Sequence, residues 1–201
     1  MNKAIFIDKD GTLIKDVPYN VDPARIRLDD TAIDALALLQ QQGYLLVVIS
    51  NQAGVAKGYF TEKDLLQVNT HIASQLGAAG IQLEAFYYCP HHPDGVITPY
   101  AIKCDCRKPA PGLLLRAAAE LQIDLSSSWM IGDILNDVEA GYRAGCKTIL
   151  YDNGNETEWE KDRYREPDFT VTSLYDAAQI ITRETAAASN LTTHELSIPE
   201  L

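Results

Sequence analysis

The chain has 201 residues, 46% of them hydrophobic, which suits one ordinary domain with a sizeable core. Its 17 lysines and arginines face 28 aspartates and glutamates, and the net charge of −11 argues against nucleic acid or an anionic membrane as its main partner. No apolar run approaches the ~20 residues that cross a bilayer, and the sequence opens directly on Lys3-Ala4-Ile5-Phe6-Ile7, so the expectation is no span, no signal peptide and a cytoplasmic location.

The elements alternate. Ile5-Phe6-Ile7 reads as a buried strand. Helical spacing follows from about Thr31 to Gln42, and Gly43 is placed as its stop. Leu45 to Ile49 is a second buried strand. Thr61 and Asp64 open a helix that carries Leu65, Val68, Ile72 and Leu76 toward Gly80. Glu84 to Tyr88 is a third strand. Pro111 suits the first turn of another helix, where its missing N–H costs nothing. Trp129-Met130-Ile131 is a fourth strand, Asn136 to Gly145 a short helix, and Thr148 to Tyr151 a fifth strand. Asp168 to Val171 reads as an edge strand before a last helix ending near Thr185. Such alternation predicts parallel βαβ units, hence an α/β fold of three layers, α/β/α, around a mostly parallel sheet. We expect one domain over 1–185, with a loop at 89–108 set into it. The tail, 186–201, lacks aromatics and periodicity and is expected to be mobile or to pack outside the domain.

Four polar signatures punctuate this pattern: Asp8-Lys9-Asp10-Gly11-Thr12, Ser50-Asn51, Arg107-Lys108-Pro109, and Gly132-Asp133 with Asp137. The first, second and fourth each end an apolar run. In an open parallel sheet those ends gather on one edge. Alternation sends the Asp8 and Asp10 carboxylates to one side, and Gly11 permits the turn that follows. Carboxylates gathered there repel one another unless a cation sits among them, which predicts a hard metal. Ser50 brings a hydroxyl to the neighbouring strand end, where it could hold a phosphoryl oxygen. Arg107 and Lys108 precede a helix N-terminus, a poor place for cations unless an anion binds. Taken singly each signature has a bland reading, as turn, cap or surface charge; their order on one chain is specific. An aspartate beside a metal, faced by a hydroxyl and a lysine, is equipment for phosphoryl transfer.

The segment from Cys89 to Pro111 fits neither strand nor helix, and a loop this long needs a reason. Cys89, Cys104 and Cys106 fall within it, together with His91 and His92. Three thiolates and an imidazole make a tetrahedral structural zinc site. Pro90, which tightens the Cys-x-His turn, favours His91 over His92. Cys146 stands apart and reads as a small buried hydrophobe.

With these motifs the chain resembles the haloacid dehalogenase-type (HAD) phosphatase superfamily over roughly residues 3 to 152. The resemblance implies that Asp8 is a nucleophile that becomes a transient aspartyl phosphate, and that Asp10 is general acid and then base. It implies that Ser50, with Asn51 beside it, and Lys108 bind the phosphoryl group. It also implies that Mg²⁺ is held by Asp8, the backbone carbonyl of Asp10, and Asp133, with Asp137 steadying the metal shell or Lys108. The zinc loop, with His91 as its imidazole, and the absence of space for a large cap narrow the resemblance to heptose-1,7-bisphosphate 7-phosphatases and the related histidinol-phosphate phosphatases. Asn51-Gln52-Ala53-Gly54-Val55-Ala56-Lys57-Gly58 is closer to the former, and Arg107 and Lys57 are then the candidates for extra phosphate contacts. Ile134, where a lysine is usual, Asp29-Asp30-Thr31, and the Asn153–Trp159 segment depart from the pattern. The expected partner is a phosphorylated small-molecule sugar, and the expected state a monomer. The alternatives are a histidinol-phosphate phosphatase, another small-molecule phosphomonoesterase, a DNA 3′-phosphatase, or a zinc-stabilised binding module without catalysis.

Overall fold

A computed structural model describes residues 1–160 and 162–195. Its six strands are β1 Lys3–Ile7, β2 Tyr44–Asn51, β3 Ala85–Cys89, β4 Trp129–Gly132, β5 Lys147–Tyr151 and β6 Phe169–Val171. They form one sheet in the order β3-β2-β1-β4-β5-β6, and every neighbouring pair is parallel. The helices are α1 Ala32–Gln41, α2 Glu62–Ala78, α3 Gly112–Leu121, α4 Leu135–Ala144 and α5 Leu174–Glu195.

Alternation along the central strands builds both cores. Ile5, Ile7, Leu46 and Val48 face a layer formed by Leu36 and Leu39 of α1, Ile72 of α2 and Ile181 of α5. Ala4, Phe6, Val47 and Ile49 face Leu113, Leu114 and Ala117 of α3 and Ala140 of α4. A strand buried on both faces must read as a continuous apolar run, which is why β1 and β2 are legible in the sequence.

Local signals set most boundaries. Thr61 and Asp64 form a reciprocal capping box at the start of α2. Gly43 ends α1 at φ +79°, a left-handed angle that glycine adopts without cost. α1 is capped from outside: Asp29 Oδ1 accepts from the Thr31 N–H at 3.0 Å, and Asp29 Oδ2 accepts from Tyr151 Oη at 2.9 Å. Asp29-Asp30-Thr31 therefore ties α1 to β5. Pro111 sits one residue earlier than expected, as the N-cap of α3. α5 runs ten residues past Thr185, to Glu195, because Ala186-Ala187-Ala188 continues it with the strongest helix former. The rest of the tail expected to be mobile, 196–201, lies outside the described residues.

Chain order runs outward from β1 to β3, then jumps through α3 to β4 on the other side of β1. The connections leaving β1 and β4 thus part, and a crevice opens at their carboxyl ends. The segments 8–31 and 52–61 hold only turns, bridges and the short 3₁₀ turn Pro23–Arg25, so they add no cap layer. Among the described residues no helix is long and apolar enough to cross a membrane.

Candidate active site and metal centre

Asp8 extends the β1–β4 ladder by one bond, its N–H donating to Ile131 O at 2.9 Å. The chain then turns tightly, with Leu13 N–H returning to Asp8 O and Ile14 N–H to Lys9 O. Gly11 is the pivot, at φ +84°. A Cβ there would lie 2.2 Å from Asp133 Oδ2 and 2.5 Å from Asn155 Nδ2. Glycine is thus required both by the angle and by the closeness of the Asp133 carboxylate.

Lys108 reaches into this turn from the loop between β3 and α3. Its Nζ pairs with Asp8 Oδ1, lies 2.5 Å from Asp137 Oδ1 and donates to Ile49 O at 2.9 Å. Its backbone is clamped by Asn51, whose Oδ1 accepts from Lys108 N–H and whose Nδ2 donates to Lys108 O, each at 3.0 Å. Asn51 lines the crevice, but its amide is committed to holding Lys108. Burial opposes the charge on Lys108, yet Asp137 and Asp8 outweigh it and hold the ammonium above its ordinary range.

The carboxylates pay for this crowding. Burial raises the Asp8 carboxyl well above its usual value; Lys108 counters this, and Asp137, Asp133 and Asp10 add to it. Burial and then Asp137 push Asp133 up to about 6. Carboxylate oxygens of Asp8, Asp133 and Asp137 lie within 4.8 Å of one another. Buried hard oxygen donors whose ionised forms repel fit a small divalent cation, which would relieve the repulsion. Asp137 is thus drawn into the carboxylate cluster as well as paired with Lys108. The Asp10 carboxylate lies outside the cluster: Oδ2 accepts from Gln52 Nε2 at 2.8 Å, and Oδ1 lies 3.0 Å from Lys9 Nζ. Asp8 and Asp10 nonetheless line one cleft of about 300 Å³, with Asp16, Asn51, Lys108, Asp133, Ile134, Asp137 and Asn155. Ser50 is buried at the end of β2, and its Oγ accepts from Gln52 Nε2 at 2.7 Å.

A second cleft of about 300 Å³ adjoins the first, sharing Asp10, Asp16 and Asn51, and is also lined by Lys9, Tyr19, Gln52 and Arg107. Among the described residues, Arg107 Nη1 is buried and has no hydrogen-bond partner. Lys57 donates to Tyr19 Oη at 2.9 Å, beyond the carboxylates.

Cys89, His91, Cys104 and Cys106 converge. Sγ–Sγ separations are 3.5 Å for Cys89–Cys104, 3.0 Å for Cys89–Cys106 and 3.3 Å for Cys104–Cys106, and His91 Nδ1 lies 3.3 Å from Cys106 Sγ. These are too long for disulfide bonds (about 2.05 Å) and somewhat shorter than the roughly 3.8 Å edge of a tetrahedron with zinc–sulfur bonds of about 2.3 Å, so a bound ion would spread the three sulfurs slightly. Gly112 lets the loop cross the start of α3: its N–H donates to Asp105 O at 3.0 Å, and a Cβ would meet that oxygen at 2.4 Å. His92 turns away, its Nδ1 accepting from Asp94 N–H at 3.1 Å.

Sequence reasoning missed Lys9, Thr12, Gln52 and Asn155. Thr12 Oγ1 donates to Asp133 Oδ1 at 3.1 Å, and Asn155 Nδ2 to Asp133 Oδ2 at 2.7 Å. Lys9 is 1% exposed although it stands between two acids in a turn. For Asn155 the only signal was that its segment follows a strand whose end lies on the site edge.

Comparison with known proteins agrees with this geometry. Residues 105–177 match the HAD-hydrolase-like family model. The D-glycero-beta-D-manno-heptose-1,7-bisphosphate 7-phosphatase of Pasteurella multocida is 41% identical over 182 residues, covering 90% of this chain and 97% of that protein. The protein of that name from Escherichia coli K12 is 37% identical, covering 90% of this chain and 94% of its own. The structure of D,D-heptose 1,7-bisphosphate phosphatase from B. bronchiseptica, complexed with magnesium and phosphate, superposes with a TM-score of 0.74 at 27% identity, covering 90% of this chain and 99% of that one.

Proposed function

The chain belongs to the D-glycero-beta-D-manno-heptose-1,7-bisphosphate 7-phosphatase family of HAD-like hydrolases, and from that premise we propose that it hydrolyses the 7-phosphate of such a heptose bisphosphate through an aspartyl phosphate on Asp8. The observation that carries the reading is the cluster of Asp8, Asp133 and Asp137 in one cleft, with the Lys108 ammonium paired to Asp8 and Asp137. Asp8 attacks phosphorus while the bond from phosphorus to the sugar oxygen breaks, and Asp10 gives that oxygen its proton. Asp10 then takes a proton from water, whose oxygen attacks the phosphorus and releases inorganic phosphate and free Asp8. Lys108 and Ser50 offset charge on the transferring group, and Asn51 keeps Lys108 aimed. Asp8, Asp133 and the Asp10 carbonyl, with Asp137 beside them, would hold Mg²⁺, which supplies charge neutralisation as an anionic nucleophile meets an anionic phosphate. Arg107 and Lys57, on the adjoining cleft and its rim, suit the second phosphate of a bisphosphate.

Zinc on Cys89, His91, Cys104 and Cys106 would be structural, since four protein ligands close its shell. It would stiffen the segment that delivers Arg107 and Lys108 one and two residues beyond its last ligand. The reading makes the protein a monomeric cytoplasmic enzyme, in keeping with reduced thiols. The test is phosphate release with Mg²⁺ from both anomers of heptose 1,7-bisphosphate, fructose 1,6-bisphosphate, histidinol phosphate and a 3′-phosphorylated oligonucleotide. A strong preference for one heptose anomer, lost in Asp8→Asn, is expected. Equal, feeble turnover across the panel would sink the heptose assignment and leave the hydrolase chemistry.

A further inference from the structure

The segment joining β5 to β6 spans 152–168, and its described residues contain no helix. A parallel crossover must leave from the carboxyl edge of the sheet, so its first residues start on the rim of the crevice. They are bonded into it. Asn153 Nδ2 donates to Gly11 O at 2.5 Å, and Asn153 Oδ1 accepts from Asn155 N–H at 3.1 Å. That second bond folds the chain back and aims the Asn155 side chain at Asp133 Oδ2, 2.7 Å away. The next residue fastens the same segment to α4. Ile134, the N-cap of α4, has no acceptor in its side chain, and Glu156 Oε2 instead accepts from Leu135 N–H at 2.7 Å. Farther on, Arg165 Nε donates to Glu139 Oε2 at 2.7 Å and Nη2 to Asn136 Oδ1 at 3.0 Å.

We infer that Asn155 is a positioning residue for the divalent cation: it holds Asp133 from outside the cation's own shell. The inference rests on the reading of Asp133 as a cation ligand. Thr12 holds one oxygen of Asp133 and Asn155 the other. A carboxylate offers about four acceptor positions, so the bonds from Thr12, Asn155 and the Asp133 amide itself still leave one open to a cation. The donors fix the carboxylate plane without adding charge to a cluster already crowded with acids. Partners of this kind typically change metal affinity 10–100-fold when removed.

The test is Mn²⁺ binding to the full chain, followed by electron paramagnetic resonance or calorimetry, beside phosphate release as a function of Mg²⁺ concentration. Asn155→Leu keeps the volume and deletes the donor. It should weaken Mn²⁺ binding about 10-fold or more and raise the Mg²⁺ concentration for half-maximal rate by a like factor, while the rate at saturating Mg²⁺ falls far less. Asn155→His, which can donate again, should recover part of the affinity. If Asn155→Leu folds poorly, Asn155→Ser, too short to reach Asp133, carries the same expectation. Mn²⁺ affinity within twofold of the parent in a folded variant overturns the inference. If the parent binds no Mn²⁺, or Asp133→Asn binds as well as the parent, it is the reading of the carboxylate cluster that fails.

Discussion

Replacing Asp133 by asparagine should stabilise the magnesium-free protein while removing catalysis. In the folded chain burial and Asp137 raise this carboxyl from 3.8 to about 6, a difference worth about 3 kcal/mol. A carboxyl whose folded value lies above its unfolded value binds more protons when folded. Its contribution is fully present below the unfolded pKa and is lost as pH rises through the folded one, so above about pH 6 the ionised Asp133 burdens the fold. Asparagine cannot ionise. It keeps the acceptor for Thr12, and a flip of the Asn155 amide offers an oxygen to the new NH₂. At 2–4 °C per kcal/mol for a chain of this size, Asp133→Asn should raise the melting temperature at pH 7.5 by roughly 6–12 °C. Thermal melts from pH 4.5 to 7.5 in magnesium-free buffer without chelator, which spares the thiolate cluster, give the comparison. The gap should shrink as pH falls from 7.5 through about 6 toward 4.5. Asp16, also raised chiefly by burial, contributes alike to both proteins, whereas Asp8 is raised in part by Asp133, so the gap includes the relief of Asp8. A variant no more stable than the parent at pH 7.5, or a gap independent of pH, would refute the reasoning.

Lys108→Met should leave Asp8 and Asp137 buried without their cation, costing roughly 3–5 kcal/mol in magnesium-free urea unfolding and at least about 100-fold in kcat. Cys106→Ser should bring bound zinc, counted by elemental analysis, well below one per chain and lower the melting temperature by roughly 10–20 °C, since structural zinc binding is folding free energy. Unchanged zinc content would remove Cys106 from the ligand set.

Much of this protein was legible in its residue order because the signals were local. Apolar runs marked strands buried on both faces; Thr61 with Asp64 and Gly43 marked helix ends; and Asp8, Asp133 and Lys108 stood out because the signatures that hold them follow one another in a specific order on one chain. The three cysteines and His91 were likewise close enough in sequence to be read as one cluster. What tertiary structure decided was how those groups are spent. The Asn51 amide is occupied by Lys108, the Asp10 carboxylate by Gln52 and Lys9, and Asp137 joins the carboxylates, because sheet order sets β1 between β2 and β4. Asn155 lies 22 residues beyond Asp133 on another connection, and Glu156 caps a helix whose own N-cap is an isoleucine. No periodicity or spacing encodes such bonds. They depend on where a parallel crossover is forced to leave the sheet, which becomes defined only when all the strands are in place.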